Sequence, residues 1–214
     1  MTAPDDGRFG PDSLVGKRVS RPNVRRLIHG RGRYTDDISV PNALHVAFVR
    51  SPYGHAAIKA IDIEAAKEMA GVVRIVTGAE VAEICQPMVS IAAHRPGHRS
   101  APQNVMAVDH ACFQGEPVVA VVAQSRAEAE DAAEMVMIEF EELTAVIDME
   151  AALEPGSPAI HAELGDNLAF QHVIDTGDAA KALQSAAHVV EHSFVFGRHT
   201  GVTLEGRAIL AEWD

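Results

Sequence analysis

Residues 117–142 read Pro-Val-Val-Ala-Val-Val-Ala-Gln-Ser-Arg-Ala-Glu-Ala-Glu-Asp-Ala-Ala-Glu-Met-Val-Met-Ile-Glu-Phe-Glu-Glu, and this run decides the fold class. Pro117 to Ala123 is apolar throughout and rich in valine, the pattern of a buried strand. Ser125-Arg126-Ala127-Glu128 then makes a capping box, in which the serine and the glutamate satisfy each other's backbone N–H groups at a helix start. The helix extends to about Met135, with Ala129, Ala132, Ala133 and Val136 on one face. Small side chains in that stripe imply close packing of the helix on a sheet. Val136, Ile138 and Phe140 alternate with polar residues, so a second strand leaves the helix.

The same alternation continues upstream. Leu44 to Val49 is nearly all apolar and predicts a strand buried on both faces, ended by Arg50-Ser51-Pro52-Tyr53-Gly54. Ala57 to Ile61 predicts a short strand. Asp62 caps a helix over residues 63–70, and Gly71 takes the left-handed position after it. Val72 to Val76 is the next strand, and Thr77-Gly78-Ala79-Glu80 is another capping box. Residues 86–111 hold three prolines and Gly97, which predicts a long loop. Strands and helices in this order give an α/β or α+β reading for residues 17–143.

Beyond residue 143 the pattern changes. Residues 144–167 carry Glu154-Pro155-Gly156-Ser157-Pro158 and Gly165-Asp166-Asn167, turn formers that predict a connector. A new unit occupies 168–214, with a short helix over 178–185 and strands over 187–196 and 208–213. Two strands alone make a marginal sheet, so this unit needs pairing partners. Residues 1–16 are polar and rich in Pro, Gly and Asp, and read as a flexible N-terminus with no signal-peptide pattern.

Composition narrows the function classes. Hydrophobic residues make up 47% of the 214, enough to build a core and to exclude overall disorder. A net charge of -12 argues against nucleic acid and anionic membrane surfaces as partners. Residues 17–33 depart from that balance, with Lys17, Arg18, Arg21, Arg25, Arg26, Arg31 and Arg33. This strip is either a solvated basic face or a docking strip for an acidic subunit or a buried phosphate. Cys85 and Cys112 read as two buried free thiols in a reducing compartment. No apolar run approaches the ~18 residues that span a bilayer, so a soluble cytoplasmic chain is expected.

Most chemistry-bearing patterns are absent. There is no Gly-x-Ser-x-Gly, no Gly-x4-Gly-Lys-[Ser/Thr] and no His-Glu-x-x-His. His94 and His98 are separated by Pro96 and Gly97, so no helix face joins them as metal ligands. His188 and His192 share a strand parity, and read as ordinary surface or core histidines. Gly30-x-Gly32 lacks the preceding strand and third glycine of a dinucleotide fingerprint.

Five phrases together point further. Leu27-Ile28-His29-Gly30-Arg31-Gly32-Arg33-Tyr34-Thr35-Asp36-Asp37 resembles the opening of the molybdenum hydroxylase large subunit. That family includes xanthine dehydrogenase, aldehyde oxidase and aerobic carbon monoxide dehydrogenase. Arg50-Ser51-Pro52 followed by Tyr53-Gly54-His55-Ala56 resembles the family's next phrase, with one of its two histidines replaced. Thr77-Gly78-Ala79 and Gly115-Glu116-Pro117-Val118 also match. Thr203-Leu204-Glu205-Gly206-Arg207 resembles the family's Met-Glu-Pro-Arg, with Gly206 in place of proline.

The resemblance implies an α+β chain: an α/β hammerhead domain over 17–143, then the first strands of a molybdopterin-binding domain over 168–214. It implies molybdopterin with molybdenum, 2Fe-2S and FAD in the full complex, none of them bound by this chain alone. Implied partners are a molybdopterin-carrying chain or domain, an iron–sulfur subunit and an FAD subunit. The family's Gly-Gly-Phe-Gly phrase, later pterin segments and glutamate base would lie beyond residue 214. The chain is therefore expected to be an N-terminal part or split subunit, inactive in isolation, that shapes the substrate channel and docks partners. The alternative is a non-catalytic interaction or cofactor-maturation module. Glu205 and Arg207 either brace the pterin domain, line the approach to the active site or form a buried ion pair that holds their turn. Arg31, Arg33, Asp36 and Asp37 form a charged turn, either at an interface or purely structural.

Overall fold

The structure is a computed structural model that describes residues 13–174, 176–197 and 199–213. Residues 1–12 of the expected flexible N-terminus lie outside the described residues. The described chain forms two units. One contains residues 42–192, and the other joins the chain up to Pro41 with the segment from Ser193 onward.

In the larger unit, sheet formation follows the apolar runs. Strands β1 (His45–Arg50), β3 (Val72–Thr77) and β5 (Pro117–Ala123) form one antiparallel sheet, with β5 in the centre. Strands β2 (Ala56–Asp62), β4 (His110–Ala111) and β6 (Met137–Glu142) form a second, with β2 in the centre. The most apolar strand takes the most buried place: Val118, Val119, Val121 and Ala123 of β5 are fully buried. Helix α4 (Arg126–Glu134) packs against the first sheet through Ala129 and Ala132. Ala132, Val136, Ile75 and the β5 valines form one core cluster, with Ile58, Ile138 and Phe140 of the second sheet packed on it. Each fully buried valine contributes about 1.5–2 kcal/mol of apolar transfer.

The Thr77–Glu80 capping box forms as read, whereas at Ser125 only the half in which the serine accepts the Glu128 N–H forms, because the Glu128 carboxylate takes the Ser125 hydroxyl instead. At helix α3 (Gly78–Ile84), Thr77 Oγ1 accepts the Glu80 N–H, and Glu80 Oε2 accepts the Thr77 N–H at 2.8 Å. Those bonds hold the Glu80 carboxyl below its usual pKa, with Arg74 a smaller contributor. At α4, Ser125 Oγ accepts the Glu128 N–H. Gly71 has φ +80°, in the turn that leads into β3 and not directly behind the helix. Gly78 has a different reason to be glycine. A Cβ there would sit 1.9 Å from the carbonyl oxygen of Ala107.

Four expectations need correction. The strand at 44–49 is not buried on both faces. It is the edge strand β1, and Val46 and Phe48 are about half exposed. One face packs through Val49 on the core, whereas the other has no layer over it among the described residues. The helix expected over 63–70 is a single turn, α2 (Glu64–Lys67), flanked by Ile63 and Glu68; Asp62 Oδ1 still accepts the Glu64 N–H. Cys85 is exposed and Cys112 only half-buried, since Cys85 ends α3 on its solvent side beside exposed Ile84. Finally, 187–196 and 208–213 form no strand among the described residues. A strand needs a neighbour for its backbone, and none is offered here. The helix before them does form, as α5 (Ala179–Ser185), with Asp178 Oδ1 accepting the Lys181 N–H. No helix among the described residues is long and apolar enough to cross a membrane.

Candidate functional site

The segment read as a connector is strapped down. Arg99, in the long loop after α3, makes two bonds to the Asp166 carboxylate, at 2.8 and 2.9 Å. Its guanidinium also donates to the Leu164 carbonyl, and its backbone N–H donates to the Ala169 carbonyl at 2.7 Å. The arginine holds the Asp166 carboxyl below its usual pKa. Asn167 closes the turn by donating to the carbonyls of Ala152 and Pro158 and accepting the Ile160 N–H. The loop itself is pinched by reciprocal backbone bonds between Met88 and Gln103.

Between loop and strap lies a cleft of about 450 Å³ within the larger unit. Its floor is Cys112, Phe113 and Glu116, where the chain turns from β4 into β5. Glu116 is 6% exposed, and its Oε2 accepts the Cys112 N–H at 2.6 Å. Burial raises the Glu116 pKa, against the lowering pull of that bond, the Phe113 N–H and His161. The Cys112 thiol is pushed up to about 11, by burial first and then by the Glu116 and Glu163 charges. At neutral pH it is therefore a protonated thiol and a poor nucleophile. Its sulfur lies 3.9 Å from His161 Nδ1, and the thiol points toward the Ile160 carbonyl. His98 stacks on Phe170, while its buried Nδ1 finds no hydrogen-bond partner. The cleft's polar groups mostly satisfy one another. Among the described residues, no group of three or more His, Cys, Asp or Glu side chains is placed to hold a metal ion.

The residues singled out from the sequence cluster in the smaller unit. Tyr34 precedes a 3-10 turn over Thr35–Asp37, and Asp37 Oδ2 accepts the Tyr34 N–H at 2.9 Å. Glu205 comes to the same turn from 170 positions away. Its Oε1 accepts the Thr35 N–H at 3.1 Å and the Thr35 hydroxyl at 3.4 Å. Arg33, Tyr34, Thr35, Ile38 and Glu205 line a shallow hollow of about 350 Å³. Two of the five phrases thus meet through one carboxylate. Arg31, Arg33, Asp36 and Asp37 are all exposed. Arg207 is also exposed, and the ion pairs among the described residues include none between it and Glu205. The reading of a buried ion pair at that turn is overturned, because the turn is at the surface and Glu205 bonds to Thr35 instead. The role of Thr35 was missed in the sequence. Its only signal there was its place inside the first phrase. The Arg99–Asp166 strap was missed too, since Asp166 registered only as a turn former.

Family comparison now bears on these features. Residues 29–144 match the model of the aldehyde oxidase and xanthine dehydrogenase a/b hammerhead domain, and residues 160–214 match that of the molybdopterin cofactor-binding domain. The chain belongs to the aldehyde oxidase and xanthine dehydrogenase family. It is 38% identical over 202 residues to the nicotine 6-hydroxylase large subunit of Paenarthrobacter nicotinovorans, which covers 94% of this chain and 24% of the relative. It is 32% identical to the carbon monoxide dehydrogenase large chain of Afipia carboxidovorans, over 75% of this chain and 19% of that one. Among solved structures, quinoline 2-oxidoreductase from Pseudomonas putida 86 superimposes with a TM-score of 0.71 at 40% identity, covering 80% of this chain and 22% of that one. The chain thus spans about a quarter of the length of the curated relatives it matches most fully. The hammerhead fold and the start of a molybdopterin-binding domain are the two parts of this α+β chain.

Membership of this family implies molybdopterin, a bulky polar group that carries a phosphate. The hollow of the smaller unit does not fit it. In the smaller unit's hollow, the anion would face the Glu205 carboxylate with only Arg33 to offset it. Of the phrase 203–207, Glu205 lines that hollow and Arg207 does not.

Proposed function

We propose that this chain is the N-terminal part, or a split subunit, of a molybdopterin-dependent hydroxylase or dehydrogenase of the xanthine dehydrogenase or carbon monoxide dehydrogenase type. Its role is to scaffold the active site and dock partner subunits, with chemistry completed by a molybdopterin-carrying chain or domain. The observation that carries this reading is the two family matches in the family's order, on a chain that spans about a quarter of the relatives it matches. The printed names of its relatives include "large subunit" and "complex subunit gamma", which supports a place in a multi-subunit assembly. An iron–sulfur subunit and an FAD subunit are the partners proposed, in the cytoplasm. Domain limits of 17–143 for the hammerhead and 168–214 for the start of the pterin domain belong to the same reading. Glu205 and Arg207 are assigned to bracing the pterin domain, and Arg31, Arg33, Asp36 and Asp37 to an interface.

Intact mass and metal analysis of the natively purified assembly tests the proposal. Molybdenum together with larger co-purifying chains is the expected result. A lone species of 22.8 kDa with no molybdenum would sink it. Co-purification with a complete large subunit that already carries these domains would favour the maturation role instead.

A further inference from the structure

We propose that residues 13–35 form a docking surface for the acidic face of a companion protein subunit. This rests on the multi-subunit reading above and specifies the surface. Seven of the chain's 18 basic side chains, and none of its 30 acidic ones, fall in these 23 positions. The remaining positions hold 11 basic against 30 acidic residues, so a strongly positive strip sits on a strongly negative chain. The strip belongs to the smaller unit, and its basic side chains are exposed.

The backbone of its helix is bonded from within the strip. Helix α1 (Val24–Ile28) closes on itself, the His29 ring donates from Nδ1 to the Arg25 carbonyl at 2.7 Å, and the Arg31 N–H donates to the Arg26 carbonyl at 2.9 Å. Gly30, at φ +66°, turns the chain so that Arg31 and Arg33 continue beyond the helix. The recognition chemistry therefore lies in the side chains.

Six of the seven cations are arginines, whose planar forks suit paired carboxylate oxygens better than point charges do. Large apolar side chains are interleaved with them: Val15 is 62% exposed, Val19 61% and Ile28 73%. Arginines among apolar groups are the composition of a protein interface. A nucleic acid would leave those apolar side chains against phosphates, and the acidic remainder of the chain would repel it. A second copy carries the same net charge of -12 and is repelled at long range.

The test uses the full chain, tagged and isolated from its source cells with its companions. Companion retention is measured from about 50 mM to about 500 mM salt, a range over which screening of exposed charge becomes strong. The chain carrying Arg18→Glu, Arg21→Glu, Arg25→Glu and Arg26→Glu is measured alongside, with a matching Arg→Gln set. Unaltered melting behaviour shows that the variants fold. The expected result is retention about tenfold or more weaker for the glutamate set, an intermediate loss for the glutamine set and a steep salt dependence in the unaltered chain. Carbodiimide labelling should find a cluster of the companion's carboxylates protected only when it is bound. Companions retained equally by all three chains overturn the strip while leaving the multi-subunit reading intact. So does retention abolished by nuclease, or a strip-dependent dimer of this chain alone. An unaltered chain that brings down no companion overturns both readings.

Discussion

Residues 117–142 and residues 187–213 carry similar amounts of apolar sequence and fold very differently. In the first, Val118, Val119 and Val121 are fully buried between neighbouring strands and α4. In the second, Val190 is 92% exposed, Ile209 93% and Trp213 97%. The local patterns do not explain this, since both read as strands. The difference is the neighbours. Strand β5 has β1 on one side and β3 on the other, and no paired residues are further apart in sequence than His45 and Ala123, 78 positions. The later segment has no such partner among the described residues. Apolar pattern specifies which face should be buried, and only a second element can bury it.

The sharpest way to break the comparison is Gly78→Ala. Its new methyl would overlap the Ala107 carbonyl, a backbone atom that cannot swing away. Destabilisation of about 3 kcal/mol or more is expected, read as a lower midpoint in chemical denaturation of the full chain. Tolerance of this change would mean that the 107 segment does not press on α3. Next come matched truncations in the two regions. Val121→Ala should cost about 2 kcal/mol, whereas Val190→Ala should shift stability by less than about 0.5 kcal/mol. A comparable loss at Val190 would show that the later segment is packed, and the contrast would fail. If a companion chain supplies the missing layer, Val190→Ala should become costly only in the assembly.

The smallest effect concerns two carboxylates of one cleft. Glu116 has a raised pKa, so the folded chain holds its proton more tightly than the unfolded chain does. The stability from that proton is present below pH 4.5 and is lost as pH rises through the folded pKa. Asp166 has a lowered pKa and acts in the opposite sense. Its bond to Arg99 stabilises above pH 3.8 and is lost as pH falls through the folded value. Glu116→Gln should therefore flatten the decline in stability just above pH 4.5, and Asp166→Asn should flatten the acid limb below 3.8. Identical pH profiles for both variants and the unaltered chain would remove these groups from the balance.

Some features of the candidate site were legible because they are local. The Thr77–Glu80 and Ser125–Glu128 caps depend on residues three apart; the first formed in full and the second as the serine cap alone. The family phrases were also legible, since each occupies a few consecutive positions. The meeting of Thr35 with Glu205 was not, because 170 residues separate the partners and neither phrase encodes the other's position. Asp166 looked like any other turn aspartate until Arg99 faced it. Cys85 and Cys112 have the same side chain, yet one is exposed and the other half-buried beside Glu116.

The sequence by itself determined the family, through it the α+β class, and the strand and helix order of residues 44–142 apart from the two-residue β4, because periodicity, caps and contiguous phrases are properties of neighbours along the chain. Tertiary structure alone decided that β1 is an edge strand with a bare face, and that a supposed connector is strapped by Arg99. It alone decided that Glu205 closes the Thr35 turn and that the last apolar runs stay unpaired. Those outcomes depend on which distant groups arrive within hydrogen-bonding and van der Waals range, and that is a matter of packing across the whole fold.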